Sequence, residues 1–149
     1  MRSLVFVLSL LIGSMQLASA GNNCTTHDKD FESFLDRFKN DEPFQKTRIV
    51  FPLKMSSTEP DANGKMKEAL ANLTLKEIKD KSILIIRGRA EAAELMGGEG
   101  KLCEQEPDVK DDLATFMQHS CHTDVYAYKY EFVRKNGCWF LQSLATSGS

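Results

Sequence analysis

The chain has 149 residues, 42% of them hydrophobic and 27% charged, with 19 basic side chains against 21 acidic ones. That length suits one domain with a sizeable core, and a second is not expected. A net charge of −2 argues against phosphate backbones and anionic lipid as partners, so nucleic acid is not expected.

Arg2, the apolar run Leu4 to Ile12 and the small-residue site Ala18-Ser19-Ala20 follow the order of a secretory signal peptide. The expected processing divides the chain into a signal peptide at 1–20 and a single domain at 21–149. The apolar run falls short of the roughly 20 residues a membrane-spanning helix requires, and nothing later is longer, so no membrane span is expected. Cys24 follows Asn22-Asn23 rather than a small residue, which argues against a lipid anchor. Loss of Arg2 leaves 18 basic residues against 21 acidic. Cys24, Cys103, Cys121 and Cys138 form an even set in the exported part, which predicts two disulfides and a periplasmic or secreted location.

Asp28 to Asn40 reads as a helix, because Phe31, Phe34, Leu35 and Phe38 form one apolar stripe. Asp41-Glu42-Pro43 ends it and opens a short helical step that brings Phe44 to the core. Arg48 to Phe51 reads as a short strand bounded by Pro52. The polar stretch Lys54 to Lys67, with Pro60-Asp61 and Asn63-Gly64, reads as a loop or an exposed hairpin tip. Thr74 and Glu77 have the spacing of a capping box, so a short helix begins there, followed by a strand at Ile83 to Ile86. Arg89 to Met96 reads as helix or as one of a strand pair, and Gly97 to Gly100 as a loop. Pro107 to Gln118 reads as a helix, with Pro in its first turn and Val109, Leu113, Phe116 and Met117 on one side.

From Thr123 to Leu144 two β-rich runs flank Asn136-Gly137, the preferred central pair of a tight hairpin turn. Pairing Lys135 with Cys138 sets Arg134 against Trp139, Phe132 against Leu141 and Tyr130 against Ser143, and strict alternation adds Tyr126 and Tyr128 to that face. The reverse face then carries Lys129, Glu131, Val133, Phe140, Gln142 and Leu144. Cys121 and Cys138 lie at opposite ends of a strand about 45 Å long if straight, so they should not bridge. Of three possible pairings, Cys24 with Cys121 and Cys103 with Cys138 is favoured, because the expected helix separates Cys103 from Cys121.

Phe31 to Phe38, Phe44-Gln45 and Arg48 to Leu53, together with the closing Tyr128 to Phe132 and Gly137 to Leu141, resemble an uncharacterised group of exported bacterial proteins. That group has the cystatin-like fold shared with nuclear transport factor 2. The matches cover about a fifth to a quarter of the mature chain, at its two ends. The resemblance implies an α+β domain in which a long N-terminal helix lies across a curved, mainly antiparallel sheet, with a conical cavity between them. It implies no activity, since one fold hosts many functions.

The aromatic stripe of the first helix is core packing by its periodicity. Tyr126, Tyr128, Tyr130 and Trp139 are the candidate ligand-binding residues, because buried phenols need hydrogen-bond partners that an apolar core does not supply. An acid-base role for these tyrosines would need a carboxylate such as Asp36 or Asp124 in the same pocket. His27, His119 and His122 lie near cysteines, but the spacing is not a zinc pattern and disulfides take precedence, so neither metal nor cofactor is expected. The expected function is a non-enzymatic binding module for a protein partner or small ligand, one form of which is an immunity or inhibitor protein. The alternative is a small isomerase or dehydratase using a tyrosine and a carboxylate in the sheet cavity.

Overall fold

The computed structural model describes residues 24–81, 102–121 and 126–148. The expected signal peptide, the strand at Ile83 to Ile86, the Arg89 to Met96 segment and the glycine loop lie outside these residues. Helix α1 (Phe31–Asn40) begins where Asp30 caps it by accepting a 2.7 Å hydrogen bond from the Ser33 N–H. Asp41 caps α2 (Glu42–Thr47) in the same way, accepting from the Phe44 N–H at 3.0 Å. Strands β1 (Ile49–Pro60) and β2 (Met66–Leu73) form a hairpin, followed by α3 (Leu75–Lys81). Then come β3 (Leu102–Glu104), β4 (Asp108–Lys110), β5 (Leu113–Ser120), β6 (Tyr126–Lys135) and β7 (Cys138–Gly148).

These strands make one sheet in the order β2-β1-β7-β6-β5-β3, with β4 beside β5. All its pairings are antiparallel except β1 with β7. The stripe of α1 packs on one face: the Phe132 ring lies 5.3 Å from Phe31, 5.6 Å from Phe34 and 5.5 Å from Phe38. Each such ring removed from water contributes about 1.5–3 kcal/mol. Leu53, Leu73, Ile78, Phe116 and Leu141 complete the same core.

Four expectations need correction. Pro107 to Gln118 is not a helix but β4, a turn and β5; buried residues alternate at Ala114, Phe116, Gln118 and Ser120, the period of a strand. Asp111 turns the chain with φ 51°, a left-handed conformation that Asp tolerates. The first strand does not stop at Pro52. It continues to Pro60, and its pairing with β7 shifts register between Ile49 and Lys54, where a proline lacking an N–H is accommodated. The expected hairpin tip is accordingly short: Asp61 accepts from the N–H groups of Asn63 and Lys65, and Gly64 takes φ 76°.

The third correction concerns register. The Asn136-Gly137 turn pairs Lys135 with Cys138, Arg134 with Trp139 and Phe132 with Leu141 as expected, but a bulge between Glu131 and Phe132 leaves Gln142 without an opposite residue. Tyr130 therefore faces Leu144 rather than Ser143, and Leu144 enters the core. The fourth concerns the disulfides, which join Cys24 to Cys138 and Cys103 to Cys121, with Cα atoms 6.3 and 5.0 Å apart. A β3-to-β5 reversal replaces the expected helix and returns the chain to Cys103, whereas the segment before α1 crosses the β6–β7 turn.

That crossing is fixed by more than the disulfide. The Asp28 N–H donates to the Gly137 carbonyl at 3.0 Å, and the Asp28 carboxylate takes the Arg48 guanidinium in a two-point pair at 3.0 and 3.2 Å. The Trp139 N–H donates to the same carboxylate at 2.8 Å. Both charged side chains are buried, at 7% and 10% exposure, and the Arg48 guanidinium lies over the Phe44 and Phe140 rings.

Candidate functional site

Strand alternation on β5 and β6 carries Phe116, Gln118, Tyr128 and Tyr130 to the face covered by α1. Their rings form a ladder. Tyr130 stacks between Phe116, 6.0 Å away at 28°, and Tyr128, 6.4 Å away at 19°. Phe116 and Tyr130 are buried, whereas Tyr128 is half-buried at the ladder's outer end.

A polar chain crosses this aromatic wall. The Tyr130 hydroxyl donates to Gln118 Oε1 at 3.0 Å, and Gln118 Nε2 donates to Glu104 Oε1 at 3.2 Å. Lys39, at the end of α1, donates to both Glu104 oxygens at 3.2 and 2.9 Å and lies 5.5 Å from the centre of the Phe116 ring. A half-buried carboxylate is costly unless neutralised, and Lys39 with the Gln118 amide supplies the neutralising charge and a donor. The Cys103–Cys121 disulfide keeps β3, and with it Glu104, against β5.

The four sequence-predicted ligand residues thus separate. Tyr130 and Trp139 are core residues, Tyr128 reaches the surface, and the Tyr126 side chain lies outside the described residues. Trp139 packs edge-on against Phe31 at 5.1 Å with its Nε1 buried and without a partner among the described residues. Asp36 is exposed and takes Asn40 rather than a tyrosine, and Asp124 lies outside the described residues. The carboxylate that does join the tyrosine face is Glu104, which sequence reasoning missed because β3 is only three residues long. Gln118 was hidden by its assignment to a helix. All four cysteines are in disulfides, and no cluster of metal-ligating side chains occurs among the described residues.

No protein-family profile matches the chain, and no curated protein matches it. Among solved structures, an NTF2-like protein of Bacteroides fragilis superposes with a TM-score of 0.54 over 83% of this chain, at 19% identity. The fold is NTF2-like. The chain spans about half of that protein, 49% of its length. A Nostoc punctiforme protein described as having a cystatin-like fold and unknown function has 13% identity and a TM-score of 0.41, covering 79% of this chain and 87% of that one. An NTF2-like protein of unknown function from Shewanella baltica has 11% identity and a TM-score of 0.43, covering 77% and 84%. In this domain the tyrosine ladder lies on the sheet face covered by α1, where Phe116 and Tyr130 are packed in the core.

Proposed function

We propose that the chain is a non-enzymatic binding module of the periplasm or extracellular space, exported through a signal peptide at residues 1–20. The observation that carries this reading is the division of labour along the tyrosine ladder. Tyr130 donates its hydroxyl proton inward to Gln118, while Tyr128 stands half-buried at the end, held by stacking and open to a ligand. A rigid aromatic ring with a polar tip costs little entropy to immobilise and anchors both small ligands and protein partners. Two disulfides support an oxidising compartment. One form of the module is an inhibitor or immunity protein that blocks an exported enzyme.

The test is native mass spectrometry of the oxidised protein after incubation with periplasmic extract, comparing wild type with Tyr128→Ala. A ligand or protein retained by the wild type and lost from a correctly folded Tyr128→Ala supports the module. Equal retention by both removes Tyr128 from the site. The enzyme reading keeps one foothold, since Glu104 is linked to the Tyr130 hydroxyl through a single amide. Turnover of a retained compound, abolished by Glu104→Gln, would select it.

A further inference from the structure

The face of the sheet away from α1 holds a trough of about 680 Å³. Its origin is legible in the strand register. Lys54 on β1 is paired with Ser143 on β7, and Ser143 with Glu131 on β6, in one cross-strand row. In the next row on that face Leu70, Ser56, Ala145 and Lys129 succeed one another across β2, β1, β7 and β6. Ser56, Ser143 and Ala145 on the two middle strands thus supply a floor of small residues from which Lys54 rises, and Glu68 and Leu70 on β2 and Lys129 and Glu131 on β6 supply long walls. The walls stand three strand spacings apart, about 14 Å, and the floor from Val50 to Ser56 runs about 20 Å, the length of six extended residues.

Charge in the trough is unequal along its length. Lys129 is paired with Glu131, whose other oxygen accepts from the Ser143 hydroxyl. These two donors hold the Glu131 carboxyl below its ordinary range against a smaller opposing effect of burial. Lys54 and Lys135, both exposed, have no carboxylate partner among the described residues. Glu68 lies four residues along β2 from the position opposite Lys54, about 13 Å away. Leu70, 78% exposed, stands on the β2 wall between them.

We infer that this trough is a second binding site, separate from the tyrosine ladder, that takes an extended acidic segment of a protein partner lying over β1 and β7. Carboxylates of the segment meet Lys54 and Lys135, and an apolar side chain covers Leu70. A long polyanion is a poorer fit, because beyond the trough it meets an acidic chain with 21 carboxylates against 19 basic groups. A short acidic segment meets the lysines alone.

The probe is a fluorescein-labelled octapeptide of alternating glutamate and leucine, followed by anisotropy, with the alternating lysine-leucine peptide as control. The acidic peptide should bind saturably and weaken with salt, and the control should not bind. Lys54→Glu with Lys135→Glu should weaken binding at least about tenfold, the effect of two rim charges. Ala145→Phe, which fills the floor and leaves the charges, should do the same. Both variants alter exposed or half-buried positions and should keep the wild-type circular dichroism and Tm. Equal binding of the two peptides, no saturable uptake at millimolar peptide, or binding that survives both variants overturns the inference. So does complete displacement by a small dicarboxylate, which would make the trough a small-anion site. A dimer that dissociates in Ala145→Phe and takes no peptide would assign it to a second copy of the chain.

Discussion

Replacing Asp28 with alanine isolates the interaction that holds the N-terminal segment across the hairpin turn. The change removes both hydrogen bonds from Arg48 and the one from the Trp139 N–H. It leaves a guanidinium 7% exposed and without its counter-charge. An uncompensated buried charge costs about 3–5 kcal/mol. At about 3 °C per kcal/mol for a domain of this size, Tm should fall by roughly 10–15 °C. Trp139 is the chain's single tryptophan and is buried, so its fluorescence in urea reports the transition without an added probe. The double variant Asp28→Ala with Arg48→Met should recover most of the loss, since an apolar side chain tolerates the site the guanidinium cannot. It should remain about 1–2 kcal/mol below wild type, because the Trp139 N–H still lacks its acceptor. A single-variant cost under about 1 kcal/mol, or a double cost equal to the sum of the singles, refutes the pairing as a source of stability.

Peptide mapping under non-reducing conditions should recover Cys24 with Cys138 and Cys103 with Cys121. Because the first closes a separation of 114 residues and the second 18, removing the first should cost more, about 4–5 kcal/mol against 3, by urea titration. Tyr130→Phe leaves Gln118 Oε1 without this donor and should lower stability by about 1–2 kcal/mol; an unchanged urea midpoint would show that the hydroxyl is replaceable. The Ser33 N–H and hydroxyl hold the Asp30 carboxyl below its ordinary value, with Lys29 adding a smaller pull against desolvation. A depressed carboxylate stabilises the fold fully above its unfolded value near 4 and loses that contribution as pH falls through the lower folded value. The Tm gap between wild type and Asp30→Ala should therefore be widest at neutral pH and close below about pH 4, and a gap that widens on acidification would contradict the cap.

The elements legible in the sequence are those whose signals are local. Phe31, Phe34, Leu35 and Phe38 specify α1 through a single periodicity, Thr74 with Glu77 specifies the start of α3 through a capping box, and Asn136-Gly137 sets the hairpin register up to the bulge. The bulge had no such signal, since Gln142 differs little from its neighbours in strand preference. At β5 the local signals misled. Pro107 with nearby aspartates imitates a helix start, while the inward positions Gln118 and Ser120 are polar and obscure the alternation of a strand. Gln118 is buried where Glu104 and Tyr130 meet it from elsewhere in the chain, and single-sequence periodicity does not carry that information. The disulfide pairing went astray through the same segment, since a helix keeps its ends apart and a strand reversal does not. The trough was illegible for a further reason: its floor depends on which small residues become neighbours across β1 and β7.

The parallel pairing of β1 with β7 sets the order in which the molecule can be assembled. The first and last strands are adjacent near the middle of the sheet, so a chain leaving the ribosome holds two unfinished halves until the final strand emerges. Closure spans some 90 residues, as between Lys54 and Ser143, which places the domain among slow-folding, high-contact-order topologies. Among the described residues, the β1–β2 hairpin with its helices on one side and the β5–β6 pair on the other are joined through the sheet by β7. A fragment ending before Cys138 lacks the strand that joins them, the tryptophan that packs under α1 and the second half of the long-range disulfide.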